Sequence, residues 1–133
     1  MANTLYPKWK EALLQGTAGS ALTGALKAVL VDTGTYTYSA AHEFYNSITG
    51  TAGTPQTIGS KTYTGGLVDG ADITFPAVTA GPNVEGIVLF LDTGTPSTSR
   101  LVAYYDTGIT GLPVTPNGGD LPVSWSVSGI FQL

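Results

Sequence analysis

Apolar residues in this chain gather into short runs, and three of those runs stop at one triplet. Leu30-Val31-Asp32-Thr33-Gly34, Leu91-Asp92-Thr93-Gly94 and Tyr105-Asp106-Thr107-Gly108 each carry a hydrophobic stretch into Asp-Thr-Gly. The run Ala25 to Asp32, interrupted only by Lys27, has the length and valine content of a buried strand. Val84 to Leu91 and Leu101 to Tyr105 predict two more strands, paired as a hairpin across Asp92 to Arg100. Pro122 to Ser128 alternates through Val123, Trp125 and Val127 with serines opposite, the pattern of a half-buried antiparallel strand. Ala71 to Val78 alternates through Ile73 and Phe75, but Pro76 restricts it to an edge or a bulge. Gln56 to Ile58, Lys61 to Thr64 and Thr35 to Tyr38 are short β-prone pieces, and the stretch from Thr51 to Pro55 reads as loop. Gly65-Gly66, Asp69-Gly70, Gly81-Pro82-Asn83 and Asn117-Gly118-Gly119-Asp120 mark turns.

Two segments carry helical spacing. Tyr6 to Gln15 opens with Pro7 at the first helical position, aligns Trp9 and Leu13 with Tyr6 beside them, and stops at Gly16. Ser39 can cap a second helix from Ala40 to about Ser47, with Ala41, Phe44, Tyr45 and Ile48 inward and His42 and Glu43 outward. The helices fall early and do not alternate with strands, so a βαβ architecture is excluded. The expected fold is mainly β: an antiparallel β-sandwich or jelly-roll-like barrel of about six to eight short strands, with two short helices in the N-terminal third. Residues 1–24 are expected to form a helix and flexible arm, and residues 25–133 a single β-rich domain.

Composition narrows the function. No cysteine is present, so disulfides and thiolate metal sites are excluded. Charged residues make up 11% of the chain, against about 25% in ordinary globular proteins. The five cations form no cluster beyond Lys8 and Lys10, which argues against nucleic acid and anionic membranes as partners. The longest apolar run, Ile87 to Leu91, is too short to span a bilayer, and Ala12-Leu13-Leu14 is too short for a secretion signal. Polarity without charge suits a protein packed against other proteins better than a concentrated free monomer.

The Asp-Thr-Gly triplets raise the chemistry of aspartic proteases, in which two carboxylates share one proton. Asp92 and Asp106 end successive antiparallel strands and therefore lie at opposite ends of the hairpin, about 15–20 Å apart at roughly 3.3 Å per residue. Strand termination is the simpler expectation: Asp caps its own backbone, and Gly supplies a positive φ. His42, the single histidine, has no Gly-x-Ser-x-Gly elbow to serve. Asp69, Asp72, Asp106 and Asp120 lack the spacing of a calcium loop. Tyr104, Tyr105 and Trp125 could stack on a sugar, although adjacent tyrosines on a strand face opposite ways. No cofactor is expected.

The chain resembles a family of small virion proteins from tailed bacteriophages. The likeness lies in Met1-Ala2-Asn3-Thr4-Leu5-Tyr6-Pro7-Lys8-Trp9-Lys10-Glu11, Tyr36-Thr37-Tyr38-Ser39-Ala40-Ala41-His42-Glu43-Phe44, the stretch Gly111 to Asp120, and the tail Ser128-Gly129-Ile130-Phe131-Gln132-Leu133. The resemblance implies a structural, non-catalytic protein made in the host cytoplasm and carried on the capsid surface as decoration or cement. Its implied partners are the major capsid protein and copies of itself, as dimer or trimer. A tail, baseplate or head-fibre component is the structural alternative; a protease or a carbohydrate-binding module is the alternative of another class. Tyr6, Trp9, Leu13, Ile130, Phe131 and Leu133 are the expected interface residues, as mobile apolar ends that order on the shell.

Overall fold

The computed structural model describes residues 3–19 and 24–133. The elements run β1 (Thr4–Leu5), α1 (Pro7–Gln15), β2 (Ala25–Val31), β3 (Thr51–Thr57), β4 (Leu67–Val68), β5 (Ile73–Phe75), β6 (Gly86–Asp92), β7 (Arg100–Tyr105), β8 (Leu121–Val123) and β9 (Phe131–Gln132). The fold is mainly β. An antiparallel five-stranded sheet has the order β1-β7-β6-β2-β3, and β4-β9 and β5-β8 form two small sheets beside it.

The three predicted hydrophobic runs lie together at the centre of that sheet. β6 pairs with β2 from Ala25↔Asp92 to Val31↔Gly86, and with β7 from Ile87↔Tyr105 to Leu91↔Arg100. Gly86 through Leu91 and Leu101 through Tyr105 are buried without a break. Successive residues of a strand point to opposite faces, so an unbroken buried run means that both faces are covered. Close packing fixes Gly86: a Cβ there would lie 3.0 Å from the Tyr105 carbonyl oxygen and 3.1 Å from a Val31 methyl.

Each face has its own cover. Val88 pairs with Tyr104, and on their side Tyr36 and Tyr38 pack on the Tyr104 ring while Tyr45 stacks on Phe90 at 4.2 Å. On the opposite side Trp125 lies against Tyr105, whose hydroxyl donates to the Ile130 carbonyl at 2.7 Å. The outer edge of β7 is sealed by two segments in turn. β1 pairs with Tyr104 and Ala103, and the Tyr6 N–H donates to the Val102 carbonyl. Farther along, the Leu101 N–H donates to the Glu43 carbonyl and the Tyr45 N–H to that of Ser99. A sheet edge closed in this way offers no template for another chain.

Helix α1 forms as the spacing predicts. Pro7 opens it, and Gly16 closes it in the left-handed conformation, with its N–H on the Leu13 carbonyl and Thr17 N–H on that of Ala12. Trp9 and Ala12 face inward, and Trp9 meets Phe131 edge-on at 5.6 Å. Leu14 is 91% exposed.

The expected second helix does not form; α1 is the one α-helix among the described residues. Ser39 accepts the Ala41 N–H in a local turn, Phe44 is extended and bridges to Arg100, and a single 3-10 turn follows at Tyr45–Ser47. Residues 43–45 give their backbone groups to β7, and tertiary pairing overrides a modest helical preference there. Other boundaries shift as well. Residues 51–55, expected as loop, become most of β3, which takes a bulge opposite β2. Thr35 to Tyr38 forms no strand, and Lys61 to Thr64 contracts to the bridge Thr62↔Asp69. The alternating run near the C-terminus keeps only Leu121–Val123 as strand, leaving Val127 exposed.

Leu89→Ala, at the doubly covered centre of β6, should lower unfolding free energy by about 2–5 kcal/mol. Leu14→Ala, on the exposed side of α1, should change it by less than about 0.5 kcal/mol. Urea denaturation of both variants checks the contrast.

Candidate functional site

The recurring Asp-Thr-Gly corners are the natural first place to look for chemistry. At the first, the Asp32 carboxylate accepts Gly34 N–H at 2.8 Å through Oδ1 and the Thr35 hydroxyl at 3.1 Å through Oδ2. Thr33 donates its N–H, at 2.9 Å, and its hydroxyl to Glu85 Oε2. At the second, Asp92 Oδ1 accepts Gly94 N–H at 3.0 Å, and Oδ2 pairs with Lys27 Nζ at 2.8 Å. Ser99, the buried polar residue of that loop, accepts Thr93 N–H and donates to the Thr95 carbonyl. These are side-chain caps of strand ends. Gly94 takes a positive φ of 88°, as a terminator requires, whereas Gly34 does not.

The third corner is built differently. Asp106 and Thr107 donate their N–H groups to Asn3 Oδ1 at 2.8 and 3.1 Å, and Asn3 Nδ2 donates to the Thr107 carbonyl at 2.9 Å. One asparagine near the N-terminus thus caps a turn more than a hundred positions away. Tyr104 donates to Asp106 Oδ2 at 3.5 Å.

Sheet register places the three corners. Asp92 ends β6, whereas Asp106 follows Tyr105, the partner of Ile87 at the start of β6. These two are separated by the length of β6, about 20 Å at roughly 3.3 Å per residue. Asp32 follows Val31, the partner of Gly86, so Asp32 and Asp106 share one end of the sheet. Strand β6 lies between them, which sets their backbones about 10 Å apart at roughly 4.8 Å per strand. A proton-sharing dyad needs hydrogen-bond contact.

Aromatic residues form a second polar cluster. The Tyr6 and Tyr36 hydroxyls are 2.7 Å apart, and the Tyr36 hydroxyl is 2.8 Å from His42 Nδ1. The Tyr6 and Tyr38 rings pack at 5.2 Å, and the Tyr36 and His42 rings at 5.5 Å. His42 therefore stands in a loop on a tyrosine, not on the outer side of a helix. Burial pushes the Tyr6 and Tyr36 hydroxyls above the ordinary phenol range, and Tyr104 is pushed up to about 12 by burial with Asp106 adding to it. All three stay protonated at neutral pH and serve as hydrogen-bonding groups.

The expected interface residues separate into two groups. Tyr6, Trp9, Ile130 and Phe131 are buried within their own chain, in the same core as β2, β6 and β7. Leu13 is partly buried against that core, and Leu133 is 61% exposed. The ends described here are folded elements, so the picture of free apolar arms is revised. Contact with another molecule is open to Leu133 and to part of Leu13. Trp125 is also buried, with its indole N–H on the Ala71 carbonyl at 3.0 Å, and presents no flat face for stacking.

The carboxylates considered for calcium cap backbone groups: Asp69 takes Gly70 N–H, Asp72 takes Trp125 N–H and Asp120 takes Ala77 N–H. Among the described residues no group of three or more His, Asp or Glu is placed to hold a metal ion. None of the described helices is long and apolar enough to cross a membrane. Asn3, Glu85 and Ser99 carry polar architecture that sequence reasoning missed. Only Ser99, within its own hairpin loop, had a local signal. Comparison with protein families, with curated proteins and with solved structures finds no match.

The Lys27 ammonium, followed by the Gly94 N–H, holds the Asp92 carboxyl below its ordinary value. A lowered folded-state pKa adds stability that is fully present above the unfolded value, about 3.9, and is lost as pH falls through the folded one. Lowering pH from about 6 to about 3 should therefore cost the parent chain more stability than Asp92→Asn. Denaturation midpoints across that range check the sign. Asn3→Ala should destabilise by about 1 kcal/mol, read in the same assay, because two N–H groups of the third corner lose their acceptor.

Proposed function

We propose that the chain is a structural component of a tailed-phage virion, bound outside the capsid lattice as a decoration or cement protein. Its contacts would be with the major capsid protein and with copies of itself in a closed dimer or trimer. The observation that carries this reading is a surface poor in charge around a core that is complete within one chain. Charged residues are 11% of the sequence, and corner carboxylates such as Asp32 and Asp69 are tied into their own turns while Asp120 holds the Ala77 N–H. With so few charges, most of that surface is left to neutral polar contacts, which suits a repeating lattice held by many modest interactions. The phage resemblance of the N-terminal, Tyr36–Phe44, Gly111–Asp120 and C-terminal stretches supports the same reading.

The small sheets β4-β9 and β5-β8 are read as the second layer of a sandwich-like body, facing the five-stranded sheet. Docking would use the outward side of β3 together with Leu14 and Leu133, while Trp9 and Phe131 hold the body together.

Quantitative mass spectrometry of separated heads and tails, from the phage that encodes the chain, tests the reading. The expected result is a copy number in the head fraction commensurate with the capsid lattice. A few copies confined to tails would assign the chain to a tail, baseplate or head-fibre part. Peptidase activity abolished by Asp32→Asn would replace the structural reading with an enzymatic one.

A further inference from the structure

Of the four asparagines, Asn117 alone is followed by glycine; Asn3, Asn46 and Asn83 precede Thr4, Ser47 and Val84. The backbone nitrogen after an asparagine can attack that residue's own side-chain amide. Glycine is the least hindered neighbour for this reaction because it has no Cβ. Asn117, Gly118 and Gly119 are all exposed.

We propose that Asn117 is a self-modifying site, converted to aspartate and isoaspartate through a cyclic imide and gated by the loop's hydrogen bonds. In the step itself the Gly118 nitrogen gives up its proton to base and bonds to Asn117 Cγ. The Cγ–Nδ2 bond breaks, and the amide nitrogen takes a proton back from the protonated base and leaves as ammonia. Water then opens the five-membered ring at either carbonyl, giving aspartate or its β-linked isomer. No reactant beyond water and base is needed.

The fold holds the nucleophile away from this path. The Gly118 N–H donates to the Val78 carbonyl at 2.8 Å, and the Val78 N–H donates back to the Gly119 carbonyl at 3.0 Å. The Gly119 N–H holds Asn117 Oδ1 at 3.0 Å, which fixes the side chain in its turn. Val78 is anchored in the core, so its carbonyl cannot follow a moving loop. Beside it Ala77 has a positive φ of 46°, a costly conformation for a residue with a Cβ, and its N–H is tied to Asp120 Oδ1 at 2.9 Å. Reaction therefore requires local opening of this loop, and its rate follows the open population.

The product works against reclosure. An isoaspartyl link adds a backbone atom inside the turn, so the two Val78 hydrogen bonds no longer meet in register. The new carboxylate also adds negative charge near Asp120 in a chain already at a net charge of −4. Each conversion thus leaves the β5–β8 end of the molecule looser than before.

Peptide-mapping mass spectrometry with isoaspartate detection, after incubation in mildly alkaline buffer, tests the proposal. The samples are the folded chain, the chain in urea, and the Asp120→Ala variant with its fold verified by circular dichroism. Residue 117 should be the first asparagine converted in urea, and its rate in the folded chain should be at least about tenfold lower. Asp120→Ala, which releases Ala77, should fall between the two. Equal rates in the folded and unfolded chain would overturn the gating, and faster conversion at another asparagine in urea would overturn the site.

Discussion

Strand β6 is enclosed on every side: β2 and β7 take its two edges, and its side chains are buried on both faces from Gly86 to Leu91. Buried backbone polar groups must be paired, and a doubly apolar strand must be covered twice. In a chain of this size few elements are free to do so. One cover comes from the loop carrying Tyr36, Tyr38 and Tyr45, the other from the region of Trp125 and Ile130. The N-terminal arm closes the remaining edge through β1 and Tyr6. The buried parts of arm, loop and tail are thereby committed to the core, and what they leave outside is limited to side chains such as Leu14 and Leu133.

The preference for tyrosine over phenylalanine follows from the same enclosure. Tyr6, Tyr36 and Tyr104 have rings in the core and hydroxyls that reach Tyr36, His42 and Asp106 respectively. An aromatic with one polar tip buries area while keeping that tip satisfied. The single histidine thus completes a structural chain from the loop into the arm.

The strong apolar runs were legible in the sequence because long hydrophobic stretches ending in turn residues have few other uses. β2, β6, β7 and α1 appeared where spacing and glycine placed them. Residues 40–47 were misread because helical spacing and a serine cap are local signals, whereas the pairing of Glu43 and Tyr45 with β7 is not. Only the end of β3, at Gln56, was legible, since Gly53 and Pro55 announce a loop, yet a bulged edge strand tolerates both. Two of the three Asp-Thr-Gly corners cap themselves as the triplet suggests. The third depends on Asn3, whose role is invisible until the ends of the chain come together. Trp9 and Phe131 meet in the core of their own chain, a pairing of the two ends that neither local pattern announces.

The central claim is that the N-terminal arm belongs to the folded core of its own chain, before any assembly. Amide hydrogen exchange on the isolated protein at low concentration tests it most directly. The account predicts that the Tyr6 amide, bonded to Val102, and the inner amides of α1 are protected on the scale of the β6 amides. Exchange of Tyr6 and α1 at the rate of an unstructured peptide, with β6 still protected, would contradict it and return the arm to the role of a free binding element.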